Sequence, residues 1–233
     1  MATEAGTSNL AHQVLYAVAS KKTRFGEIRD AVKTDPTRVL ERLVSLRLVE
    51  RLVPVTDTDS AASRGIYRIA DNFLIFWLDV VNNQRSAIDT GMVDSVLPVI
   101  EASIDDHMGL RWEEAFRSHI RRLAQAGQLG KDVVAVGEFW RPGDAGEQNQ
   151  IDAVALAGRR RMAVLAGEAK WAREVNGDRL QWELERKASQ LPAVGPRLRY
   201  AVCARDRVNT TEPELLCITA RDIFGLPEDE PAT

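Results

Sequence analysis

The sequence predicts an α/β chain in two parts, and three observations carry that prediction. Apolar residues recur at helical spacing through the first 45 residues, and from about residue 132 the period changes to two. Beyond residue 108 the segments run helix, three strands, helix, two strands, which is the order of an α/β layer arrangement. The 233 residues, 45% hydrophobic and 28% charged, suit one sizeable core or two modest ones and exclude disorder as the overall state. With 15 Gly, 9 Pro and no apolar run of about 18 residues, the collagenous and membrane-spanning classes are excluded too. The first ten residues do not form a charged-then-apolar signal peptide, so a cytoplasmic protein without a membrane partner is expected. Cys203 and Cys217 lie in apolar strand-like runs, which leaves neither a disulfide framework nor a Cys-rich zinc site and predicts two buried thiols.

In the first part, residues 9–19 place Leu10, Val14, Leu15 and Val18 on one helical face, with Asn9 as the cap. A second short helix follows Thr23 and carries Phe25, Ile28 and Val32 on one side. Asp35 and Pro36 supply an N-cap and a first-position proline for a third helix, which buries Val39, Leu40, Leu43 and Val44. Thr37, Arg38, Glu41, Arg42 and Ser45 share its opposite face, with Arg38 and Arg42 stacked four residues apart. Two strand-like runs, VERLVPV and GIYRIA, flank the polar stretch TDTDSAASR and read as a hairpin. Three short helices and a hairpin over residues 1–70 make a winged helix-turn-helix, in which the third helix enters the major groove of DNA. Arg51, Arg64 and Arg68 on the wing then meet phosphates, while protein docking is the competing use of the same surface. Charge agrees with a nucleic-acid partner: residues 1–70 carry 11 Lys and Arg against 8 Asp and Glu, whereas the remainder carries 20 against 26.

Residues 71–107 form a helical linker in which Phe73, Leu74, Phe76, Trp77, Val80 and Val81 are packing residues, with a further helix over about 93–104. The stretch GLRWEEAFRSHIRRLAQAG then opens the second domain as a separate helix ending at Gly127. On that helix Glu113 borders the apolar face built by Trp112, Phe116 and Ile120, while Glu114 faces solvent. Three strands follow, DVVAVGEFW, QIDAVALA and AVLAGEAKW, then a helix near 179–191 and the strands LRYAVCA and ELLCIT. The domain covers residues 108–226, and the acidic, proline-rich segment 227–233 is expected to be a disordered tail.

The turn GRRR joins two of these strands, and pairing symmetric about Arg160 sets Asp152 opposite Glu168. Glu168 and Lys170, two residues apart, point to one face. Two carboxylates so close on a half-buried sheet need neutralising, which a hard divalent cation such as Mg2+ does, and Lys170 adds a compact positive charge for orienting a water or steadying a phosphate. Glu113 is the candidate third carboxylate. Glu138 is expected at an exposed strand end, Arg159, Arg160 and Arg161 on an exposed turn, and Trp140 and Trp171 buried at strand ends. His12, His107 and His119 lack metal-ligand spacing, and His107 beside Asp105 and Asp106 reads as a helix-start feature.

A helix Glu, an Asp, a spacer and then Glu-x-Lys resembles the PD-(D/E)xK nuclease superfamily, whose core is αβββαβ, as in restriction endonucleases. The stretches YRIADNFLIFW, DDHMGLRWEEAF, QIDAVAL and GEAKW are also similar to the C-terminal region of archaeal-type ATPases, domain-of-unknown-function family 234, over roughly residues 8–222. The resemblance implies Mg2+-dependent hydrolysis of DNA phosphodiesters, with Mn2+ substituting. It implies Asp152, Glu168, Glu113 and the Ala169 carbonyl as metal ligands, Lys170 as the residue assisting the attacking water, and Lys187 as a secondary phosphate contact. Ile151 replaces the proline that names the superfamily, a change that removes no ligand. No GxxxxGK[ST] occurs, so the chain has no ATP site of its own, and an ATPase is a candidate partner. The polypeptide is either a stand-alone relative or a C-terminal fragment of a longer protein, with Met1 and a short polar leader favouring a stand-alone gene, and pairing through residues 71–107 would give a homodimer. The alternative function is a catalytically silent DNA- or protein-binding module that regulates an ATPase.

Overall fold

The computed structural model describes residues 2–57, 65–142 and 148–225 of a mixed α/β chain. It divides into two units, Met1–Val53 with Asp59–His107, and Pro54–Thr58 with Met108–Thr233.

In the first unit, α1 (Ala2–Ala19), α2 (Phe25–Val32) and α3 (Thr37–Ser45) precede an antiparallel pair, β1 (Val49–Leu52) and β2 (Ile66–Ile69), with Val49 opposite Ile69 and Leu52 opposite Ile66. Helix α1 starts well before Asn9, which lies inside it rather than capping it; one Asn in a helix interior costs only a few tenths of a kcal/mol. The Glu27 carboxylate accepts from the backbone N–H groups of Thr23 and Arg24, both at 3.0 Å, and so opens α2. Asp35 accepts from the N–H of Thr37 at 2.9 Å and from its hydroxyl at 2.6 Å, so α3 opens at Thr37 with Pro36 just outside it. Val14, Val18, Ile28, Leu40, Leu43, Val49 and Ile69 form the core of this unit.

Asp71 accepts from the N–H of Leu74 at 2.7 Å and caps α4 (Asn72–Phe76). A π-helical turn over Trp77–Val81, a 3-10 turn over Asn82–Gln84 and α5 (Arg85–Asp89) continue it. Leu78 and Val80 are buried here, but Phe73 is 72% exposed and Trp77 is exposed too, contrary to their expected packing role. With α4 only five residues long, only the side bearing Leu74 and Ile75 reaches the core. The two helices expected across residues 93–127 are one, α6 (Val93–Gln125), 33 residues long with Pro98 and Gly109 inside it. A single internal glycine costs about 1 kcal/mol, too little to break a helix whose flanking turns pack. His107 accordingly sits within α6 instead of at a helix start.

The second unit continues α6 into β3 (Val133–Pro142), β4 (Gln148–Ala157), β5 (Met162–Ala169), β6 (Glu174–Asn176), α7 (Gly177–Ala188), β7 (Val194–Cys203), β8 (Arg207–Asn209), β9 (Leu216–Ile218) and α8 (Ala220–Phe224). The main sheet has the order β3-β4-β5-β7-β9; its first three strands are antiparallel, while β7 and β9 run parallel to β5. The parallel pair β6–β8 and helix α8 are additions to the expected set, each too short to carry a sequence period. Trp112, Phe116 and Ile120 of α6 pack with Ala153, Ala155, Leu165 and Cys203 on one side of the sheet. Leu180, Leu184 and Ala188 of α7 pack with Ile151, Val154, Ala166 and Val202 on the other. Among the described residues no helix is long and apolar enough to cross a membrane.

Gly167 on β5 makes the α6 packing possible, because a Cβ there would lie 2.6 Å from the Phe116 ring, which is fully buried. Gly167→Ala is expected to lower stability by about 1–3 kcal/mol, measured as a drop in the urea midpoint. The expected pair of buried thiols is half correct. Cys203 is fully buried, and burial pushes its thiol far above the usual range, whereas Cys217 is exposed. In the folded protein a thiol-titrating disulfide reagent is expected to modify Cys217 and reach Cys203 only after denaturation.

Candidate functional site

Strands β4 and β5 build the site. Their ladder pairs Ala155 with Leu165, Val154 with Ala166 and Ala153 with Gly167, and Asp152 and Glu168 are the next residues along the two strands. The register shifts only at Ala155/Leu156, on the side towards the turn. Both carboxylates are only 4% exposed. One oxygen of Asp152, Oδ2, accepts from the backbone N–H of Ala169 at 2.9 Å, a side chain satisfying the strand-end donor. Glu168 is held at both oxygens: Lys170 Nζ donates to Oε1 at 2.7 Å, and Lys187 Nζ, from the last turn of α7, donates to Oε2 at 2.8 Å.

Burial drives the Asp152 carboxyl well above the usual range, and the negative charges of Glu168 and Glu113 push the same way. The Ala169 N–H and the Lys170 ammonium oppose this without cancelling it. Burial also works against the charge on Lys170, but the hydrogen bond and charge of Glu168, then the charges of Asp152 and Glu113, outweigh it and keep this side chain cationic. Glu113 of α6 is half-buried and within electrostatic reach of both strand residues, as its border position on the helix predicted. Glu114 pairs with Arg111 at 3.8 Å. Among the described residues no three His, Cys, Asp or Glu side chains converge as a ready-made cation cage.

The Lys170 end of β5 is fixed from two sides. Its backbone N–H donates to the Cys203 carbonyl at 2.9 Å, and Trp171 meets Trp112 edge-on at 5.5 Å while the Arg205 guanidinium lies 4.4 Å from its ring centre. Trp171 is thus half-buried, whereas Trp140 is fully buried as expected. Arg161 is not a free turn residue: it donates to the Val55 carbonyl at 2.8 Å, while Arg159 and Arg160 are exposed.

Sequence reasoning missed Arg117 and misjudged Glu138. Both are 5% exposed at the side chain and form a 2.8 Å ion pair, and Arg117 Nη1 also donates to the Asp152 backbone carbonyl at 2.6 Å. Glu138 is therefore an interior residue, because the β3 strand continues past it to Pro142 and Arg117 supplies its counter-charge. Arg117 lies off the apolar stripe of α6, and only the pairing of opposite charges across a helix–sheet contact could have signalled it.

On the first unit, Thr37, Arg38, Arg42 and Ser45 share the exposed face of α3. The Thr37 hydroxyl is engaged by Asp35 and the Ser45 hydroxyl donates to the Arg42 carbonyl at 2.8 Å, so the two arginines carry the reach of that face. Arg51 is exposed, with its guanidinium lying over Gly65; Arg68 is half-buried; Arg64 lies outside the described residues, as does the segment 227–233.

Removing Arg117 alone takes the counter-charge from a buried carboxylate. Arg117→Met is expected to cost about 3–5 kcal/mol in chemical denaturation, and Arg117→Met combined with Glu138→Leu is expected to cost less than that single change.

Comparison with known proteins places the chain beside uncharacterised relatives. The family model DUF234, described as "Archaea bacterial proteins of unknown function", matches residues 77–182. That span includes Glu113, Asp152, Glu168 and Lys170 but neither α3 nor Lys187, a narrower likeness than residues 8–222. An uncharacterized protein of Methanocaldococcus jannaschii is 26% identical over 162 residues, 68% of this chain, and the chain covers 35% of that relative's length. No solved structure matches the chain. The likeness over residues 77–182 is therefore to a family of archaeal and bacterial proteins whose function is unknown.

Proposed function

We propose that this chain is a DNA-binding, Mg2+-dependent nuclease that hydrolyses phosphodiester bonds. The observation that carries the reading is the pair of buried carboxylates on adjacent strands, Asp152 and Glu168, with Lys170 at the strand end beside them. The order α6, three antiparallel strands, α7 and a parallel strand supports a restriction-endonuclease-like domain, and three helices followed by a hairpin support a winged helix.

The donor set fits a hard divalent cation in its chemistry. Asp152, Glu168, Glu113 and the Ala169 carbonyl are all oxygen donors, and the crowding of negative charge that raises Asp152 is what a cation relieves. A cation held there supplies Lewis-acid polarisation of a phosphodiester. Lys170 orients the attacking water and meets negative charge as it develops on the phosphate. The Arg117 guanidinium holds the Asp152 backbone in register through its carbonyl. Arg38 and Arg42, with Thr37 and Ser45, read the major groove, and Arg51 with Arg64 meets phosphates. Lys187 is the further phosphate contact.

A second reading is favoured by one feature: both oxygens of Glu168 are taken by lysines and no three-residue cage is preformed among the described residues. In that reading the domain is a catalytically silent DNA- or protein-binding module working with an ATPase. Cleavage of supercoiled plasmid with Mg2+ or Mn2+ separates the two. The nuclease reading expects nicking by the wild type and a loss of about 10²-fold or more in folded Lys170→Ala, with DNA affinity retained in Asp152→Ala. DNA binding by the wild type without metal-dependent nicking would favour the silent module.

A further inference from the structure

We propose that Lys187 is an exchangeable counter-ion of Glu168, displaced when a divalent cation enters and then turned towards the substrate phosphate. This rests on reading the Asp152–Glu168 pair as a cation site. Glu168 has a side chain only 6% exposed, and each of its oxygens already carries an ammonium, at 2.7 Å from Lys170 and 2.8 Å from Lys187. Two ammonium groups thus already face the charge of Glu168 without a metal. Mg2+ needs its carboxylate oxygen at about 2.0–2.1 Å. Two positive charges would then sit against an ammonium on the same oxygen, at a separation where repulsion in a partly dry site is strong. One lysine has to leave.

The two are not equally placed to do so. Lys170 is anchored by its backbone bond to Cys203 and is attracted by Asp152 and Glu113 as well as Glu168. Lys187 stands at the exposed-side end of α7, and its main chain is held independently: Asn149 Nδ2 donates to the Lys187 carbonyl at 3.2 Å. The helix end therefore stays on β4 while the four-carbon side chain swings. Cation entry and the freeing of a phosphate-binding ammonium become a single exchange, which links metal loading to substrate capture.

The test is Mn2+ binding, by calorimetry and by loss of the free-ion electron paramagnetic resonance signal, on full-length wild type, Lys187→Met and Lys187→Arg. Lys187→Gln substitutes where the Met variant does not fold. The expected result is that the uncharged variant binds Mn2+ about tenfold or more tightly than wild type, that Lys187→Arg stays near wild type, and that the metal-loaded uncharged variant binds DNA more weakly. A purely structural role for Lys187 would lower metal affinity instead. Equal or weaker Mn2+ binding by the uncharged variant, with wild type binding normally, overturns the exchange and leaves the cation site standing. No Mn2+ binding by any of the proteins overturns the cation site itself, and the exchange with it.

Discussion

Four ionisable side chains, Arg117, Glu138, Asp152 and Glu168, lie inside a layer whose other buried residues are apolar, and no charge survives there without a partner. Arg117 answers Glu138, two lysines answer Glu168, and Asp152 combines a backbone N–H with a bias towards neutrality. Satisfying these groups dictates where the surrounding elements sit. The second half of α6 has to bring Arg117 to β3 and β4 together, α7 has to end with Lys187 over β5, and β5 has to stop beside the Asp152 carboxylate. Apolar packing by Phe116 on one side and Leu184 on the other supplies most of the burial free energy, but shape alone would tolerate small slides of a helix along the sheet. A buried ion pair does not, since a shift of one turn leaves a charge dry and alone.

That division explains what the sequence made legible. That Asp152 and Glu168 lie on neighbouring strands could be read from the period of two and the short GRRR turn, whereas the register could not: symmetry about Arg160 fails beside the turn and holds only beyond the shift at Ala155/Leu156. Glu113 could be read from the rotation of one helix, and the five main strands from their alternation. The partner of Glu168 from α7 could not: the rotation of that helix and its height above the sheet come from Leu180, Leu184 and Ala188 meeting β4 and β5. Arg117 and Glu138 were hidden for the same reason, each looking like a surface residue on its own element. The joined α6 and the exposed Phe73 went unread because helix ends and short-helix faces are set by marginal local energies.

The same distinction separates the parts of the functional proposal. Element order and the carboxylate pair come from local signals and give a reaction class. The state of the site comes from the tertiary contacts, and those give each oxygen of Glu168 a lysine of its own. Under the proposed function, affinity for a cation is then a difference between two satisfied arrangements and not the filling of an empty one, which makes the site responsive to whatever competes for its lysines.

The register shift between Ala155 and Leu156 has a consequence for how this hairpin tolerates change. Between the shift and the turn, Leu156 faces Ala163 and Ala157 faces Met162, whereas Ala153 still faces Gly167. The irregularity works as a slack point: a residue gained or lost around Gly158–Arg161 can be taken up there without moving the strand ends that carry the two acidic residues. The turn end of the hairpin can thereby change in length and charge while the acidic end keeps its spacing.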